Sequence, residues 1–177
     1  MYVYKFRMTS DEIEGFTRDY EIAGEQTFQD FHDVIISSIK GYNQGELSSF
    51  FIADGQWAKK KEITLVDMNV DEDSEKEMPK YVMKEAKIKD FIDDPHQKLI
   101  FEYDYLNHIV YYIELLKLVE VDDKKKNQYP ICTNSVGDSM PLKKIDDFLE
   151  DLSIDDEDLD EGFSEEFDDE FGDETEI

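Results

Sequence analysis

The chain has 177 residues and a formal net charge of -27, with 46 acidic residues against 19 basic ones. No stretch approaches the roughly 18 apolar residues that a spanning helix needs, and Met1 to Arg7 alternates instead of forming the apolar block of a secretory leader. Cys132 is the single cysteine, which excludes an internal disulfide, and a reduced cytoplasmic protein is expected.

Tyr2, Tyr4, Phe6 and Met8 fall on one parity, with Lys5 and Arg7 on the other. This alternation predicts a half-buried strand. Phe16, Arg18, Tyr20 and Ile22 repeat the pattern after a polar stretch ending in Gly15, so a first β-hairpin is predicted. Thr27 then opens a helix as a good N-cap, with Asp30 placed for a capping box. Phe28, Phe31, Ile35 and Ile39 recur at helical spacing, and Gly41 and Asn43 end the run.

Leu47 to Ala53 reads as a buried strand around Phe50, Phe51 and Ile52. Glu62 to Met68 is a short strand or an extended loop. Lys87 to Ile92 is a short helix closed by Asp94-Pro95, because a residue before proline avoids the helical region. Leu99 to Tyr105 and Ile109 to Val121 alternate on either side of Leu106-Asn107-His108, which predicts a second hairpin. Tyr129 to Pro141 is expected to be irregular. Pro141 suits the first turn of a final helix that carries Ile145, Phe148, Leu149 and Leu152.

These elements predict an α+β fold. A mixed, mainly antiparallel sheet of two hairpins plus extra strands packs on one main helix, with a short helix and a C-terminal helix. The expected domain covers residues 1–145, and residues 146–177 form an acidic tail. The tail holds 18 acidic residues and no Lys or Arg, so the preceding body is left at -9. Long like-charge blocks of this kind form solvated tails.

The basic residues of the body do not form a stripe. Lys59 to Lys61 and Lys124 to Lys126 are the compact runs, and each is expected to cap a loop. Nucleic-acid binding needs a clustered positive surface, so that partner class is unsupported by charge.

No catalytic or cofactor motif stands out. His32, His96 and His108 lack metal-ligand spacing, and Cys132 has no cysteine partner, so no metal or cofactor is predicted. His32, beside Asp30 and Asp33, reads as a polar-face helix residue, with a carboxylate-oriented base as the sharper option. Asp104, Asn107 and His108 at a strand end form a possible pocket, although Asp and Asn also favour turns by bonding their own backbone. A cryptic enzyme would draw on these groups. In the tail, Asp156, Asp158 and Asp160 mimic the start of an EF-hand loop, but Glu161 and Phe167 stand where the glycine and bidentate glutamate are needed.

The tail carries a sharper pattern. Leu159, Phe163, Phe167 and Phe171 recur every four residues, which on a helix gives one apolar stripe among acidic faces. A purely solvating tail has no need of regularly placed phenylalanines. This predicts docking onto a basic or hydrophobic protein surface.

Thr27 to Ile35 (TFQDFHDVI) and Leu99 to Tyr105 (LIFEYDY), followed by Tyr129-Pro130-Ile131-Cys132, Gly137 and Pro141, are the parts that carry a resemblance. Over about residues 2 to 145 the chain resembles the pRiA plasmid ORF-three-like family, also described as passenger proteins of insertion elements. That family's pattern after the Tyr-Asp pair runs Phe-Gly-Asp, then a Trp and a His two residues apart. Here Leu106 and Asn107 replace the Gly and Asp, and Ile109 and Tyr111 stand at the Trp and His positions. No role of that Asp or His therefore passes to this chain. A resolvase label sometimes attached to the family implies recombination, and no pattern here carries strand transfer. The resemblance thus implies a fold and, as the alternative function, a DNA-associated accessory protein of a mobile element.

Overall fold

The computed structural model describes residues 1–67, 79–105 and 107–138. The chain divides into two units, Met1–Leu142 and Lys143–Ile177, and all described residues lie in the first. The first unit is a mixed α+β structure with one main helix and an eight-stranded sheet. Its elements are β1 (Tyr2–Thr9), β2 (Thr17–Ala23), α1 (Phe28–Ser38), β3 (Ser48–Ala53), β4 (Lys59–Thr64), β5 (Lys80–Val82), β6 (Lys98–Tyr103), β7 (Ile109–Glu120) and β8 (Ile131–Val136). The sheet order is β5-β4-β3-β6-β7-β1-β2-β8. Among the described residues, only the β4–β5 pair is parallel.

Helix α1 starts where the sequence places it, and for the expected reason. The Thr27 hydroxyl accepts the Asp30 amide at 3.2 Å, and the Asp30 carboxylate accepts the Thr27 amide at 2.8 Å. Two donors that a helix start leaves orphaned are thereby satisfied. The helix lays Phe28, Phe31, Ile35 and Ile36 on one face of the sheet. Phe31 is the centre of this contact. Its ring stacks on Phe6 at 5.1 Å and on Phe50 at 5.3 Å, and meets Tyr20 edge-on at 5.6 Å. Aromatic pairs of this kind contribute about 0.5–1.5 kcal/mol each beyond area burial.

Because side chains alternate along a strand, the opposite sheet face carries the other parity. There Phe51, Ala53 and Ile100 form a small buried cluster under Trp57, Val110 and Tyr112. Elsewhere that face carries paired charges. Lys5 bonds Glu21, Arg7 clasps Asp19 through two bonds of 2.7 and 2.9 Å, and Lys59 bonds Glu102.

Three expectations need correction. The stretch after Pro130 is not irregular, because Ile131–Val136 forms strand β8. Five of its six residues are exposed, so it lacks the apolar alternation that announces a half-buried strand. Lys59 to Lys61 do not cap a loop but run along β4, where their stems cross apolar surface: the Lys59 and Lys61 ammonium groups lie 3.9 and 5.6 Å from the Phe51 and Phe91 ring centres. The short helix near residue 90 is one 3-10 turn, Ile88–Asp90. The C-terminal helix and the acidic tail lie outside the described residues. Among the described residues, no helix is long and apolar enough to cross a membrane.

Candidate functional site

His32 is not a polar-face residue. It points into the interface between α1 and the sheet, is 0% exposed, and meets the Phe101 ring edge-on at 6.1 Å. The position is one turn from Phe28 and Ile36, so the apolar stripe is wide enough to include it. Its Nδ1 lies 3.2 Å from a carboxylate oxygen of Asp33 and 3.4 Å from the Gln29 side-chain nitrogen, while its Nε2 has no partner. Burial pushes its pKa down, and the Asp33 contact pulls the other way. A carboxylate holding Nδ1–H leaves Nε2 as the basic nitrogen, which is the orientation a general base needs. The ring, however, is enclosed by core side chains and has no access to solvent.

Asp104 and Asn107 come together at the β6–β7 turn. Asp104 adopts a left-handed backbone, φ 55°, and its carboxylate accepts the Asn107 amide at 3.1 Å and the Asn107 side-chain nitrogen. Its own amide donates to the Leu47 carbonyl, and its carbonyl accepts the His108 amide at 2.7 Å. These bonds fix the reversal from one strand to the next. The His108 side chain is exposed and lies in the turn, whereas His32 is buried under α1. The three groups therefore do not line one cleft. Leu159, Phe163, Phe167 and Phe171 lie outside the described residues.

Three features escaped the sequence reading. The first is a tyrosine cluster beyond the end of α1. Tyr42 stacks flat on Tyr103 at 4.1 Å, and its hydroxyl meets that of Tyr111 at 2.6 Å. Burial raises the pKa of both Tyr42 and Tyr111, so both are neutral phenols. The second is Arg18, which is 4% exposed. Its guanidinium donates to the carbonyls of Thr17, Val136 and Gly137 and lies over the Phe16 ring, so β8 is tied to β2 through a buried cation. Its parity with Phe16, Tyr20 and Ile22 signals that burial.

The third feature is a pair of open clefts that share Tyr4. One, of about 490 Å³, runs over Tyr2, Ala23 and Gly24 and is rimmed by Glu25, Lys89, Asp123 and Lys126. The other, of about 450 Å³, is lined by Ile92, Pro95, Leu115, Leu116 and Leu118 with Asp93 and Asp94. Tyr4 approaches the backbone so closely at Gly24 that an added Cβ would lie 2.9 Å from its ring. Among the described residues, no group of three His, Cys, Asp or Glu side chains is arranged to hold a metal. The clefts offer apolar contact and mixed charge, with no nucleophile paired to a base.

Comparison with known proteins agrees with the fold and adds no activity. No curated protein matches the chain. A crystal structure of a protein of unknown function from Methanosarcina mazei Go1 is similar, with a TM-score of 0.59 and 20% identity over 90% of this chain and 86% of the other. At that identity the likeness concerns the fold alone. The profile of the plasmid pRiA4b ORF-3-like proteins matches residues 3–173, nearly the whole length, and the chain belongs to that family.

Proposed function

We propose that the protein is a non-enzymatic interaction module whose acidic terminal segment binds a basic or hydrophobic surface on another protein. An imbalance in charge pairing carries this reading. In the body, Lys5, Arg7, Lys59, Lys60, Lys87, Lys89 and Lys98 each have a carboxylate partner. In residues 146–177, 18 carboxylates share a stretch with no Lys or Arg. Such a segment repels itself, and a cationic surface supplied from outside relieves that repulsion and steers association.

The apolar stripe of Leu159, Phe163, Phe167 and Phe171 adds a second contribution, at about 25 cal/mol per Å² of apolar surface removed from water. A helix over Pro141 to Leu152, continued by the stripe, is part of the same proposal. The lone free thiol of Cys132 is in keeping with a reducing, cytoplasmic setting.

The alternative, a DNA-associated accessory of a mobile element, rests on family membership. Lysines already bonded to carboxylates release few counterions on meeting phosphate, which weakens that reading. Two measurements decide between them. Partners recovered by affinity capture with the full chain should be lost when the four apolar tail residues are replaced by serine. DNA mobility should be unchanged by the protein at low salt. Retained partners and a salt-sensitive DNA shift would favour the alternative.

A further inference from the structure

Strand β8 ends the sheet, and among the described residues it pairs only with β2. An edge strand presents a row of unpaired backbone donors and acceptors, and natural sheets blunt such edges with lysines, prolines or inward-pointing charges. β8 itself holds no lysine, proline or inward-pointing charge, and its one blunting feature is a bulge at Thr133. Its sequence, Ile131-Cys132-Thr133-Asn134-Ser135-Val136, has no charged residue in a chain that is 37% charged. One irregularity, where β2 passes from Asp19 to Tyr20 while β8 passes from Asn134 to Cys132, leaves Thr133 as an extra residue. Arg18 holds the far end of the strand in place through Val136 and Gly137.

The exposed apolar side chains of β8 stand at its two ends. Ile131 is 43% exposed and Val136 is 52% exposed. Both lie on the sheet face away from α1, opposite Glu21 and Thr17 on β2. In a twofold antiparallel pairing centred between Thr133 and Asn134, Ile131 of one copy falls opposite Val136 of the other, at both ends. Residues directly opposite in an antiparallel pair share a sheet face, so each exposed apolar side chain covers its counterpart. The same register sets Cys132 opposite Ser135 on the α1 side. A neutral edge is also the surface on which two strongly acidic copies repel least.

We propose that β8 is a self-association edge, and that two copies of this chain join through antiparallel β8–β8 pairing with Ile131 opposite Val136. The contact is one short strand per copy, well below the roughly 1,200–2,000 Å² of a stable interface, so the dimer is weak and reversible. Because the copies carry like charge, added salt strengthens it by screening, whereas salt weakens any contact made by the acidic segment.

Sedimentation of the full chain across a concentration series tests this. The expected result is a reversible dimer that tightens with salt, and a shift to monomer in Ile131→Lys and in Val136→Lys at unchanged circular dichroism. The full chain with Ser135→Cys should form a covalent dimer on mild oxidation, with Cys132 of one copy linked to residue 135 of the other in peptide mapping. Within one strand those two positions are too far apart to bridge. A monomer at every concentration, a dimer that survives both lysine variants, or the absence of the cross-link in a chain that dimerises would each overturn the proposal.

Discussion

The hydroxyl groups of Tyr42 and Tyr111 meet at 2.6 Å beneath the loop that follows α1. Tyr111 stands where the family pattern has a histidine, and the structure uses its phenol as a tie between β7 and that loop. Tyr42 in turn stacks on Tyr103, whose hydroxyl accepts the Asn43 amide at 2.8 Å. Tyr111→Phe removes the tie and leaves the half-buried Tyr42 hydroxyl without its partner. The expected cost is about 1 kcal/mol, read as a lower urea midpoint with an unchanged slope. An unaltered midpoint would mean that the loop is held by stacking alone.

Phe31 binds helix to sheet through three rings at once. Phe31→Ala is expected to destabilise by about 3–5 kcal/mol, since the cavity left in a rigid aromatic core collapses poorly. Thr27→Ala, which removes only the cap, should cost about 1 kcal/mol. Thermal melts of the two variants check the ranking. A larger loss from Thr27→Ala would contradict the account of α1.

Much of this architecture was legible in the sequence because it depends on periodicity. The Phe28–Ile35 stripe and the Thr27–Asp30 pair gave α1, and the alternations of Tyr2–Met8 and Leu99–Tyr105 gave β1 and β6. β8 was not legible, since five of its six residues are exposed and Arg18, a distant residue, secures its end. His32 was misread for a related reason: a histidine next to two aspartates looks solvated, and only the width of the helix stripe turns it inward. The clefts beside Tyr4 arise from packing between segments far apart in sequence, which no local pattern records.

Burial of His32 makes stability depend on pH. Its folded pKa lies below its ordinary value, so the unfolded chain takes up a proton that the folded chain refuses. Stability contributed by the neutral ring is present above about pH 6.5 and is lost as pH falls toward the folded value. His32→Leu removes the titrating group. The melting-temperature difference between the natural chain and this variant should therefore move against the natural chain between about pH 7 and about pH 5. A constant difference would show that His32 does not titrate on unfolding.

Asp104 carries the β6–β7 reversal through bonds to Asn107 and a left-handed backbone. Asp104→Ala loses those bonds and keeps the strained φ, with an expected loss of about 1–3 kcal/mol. Asp104→Gly should recover part of that loss by removing the strain. Equal losses in the two variants would assign the whole effect to the side-chain bonds.

Affinity capture reads out whether the acidic segment binds other proteins. The full chain and the full chain with Leu159, Phe163, Phe167 and Phe171 replaced by serine are compared at low and high ionic strength. A defined set of basic proteins is expected to be retained by the natural chain, released as salt rises, and lost by the variant even at low salt. Retention of the same proteins by both chains, or of none by the natural chain, would contradict the proposed binding.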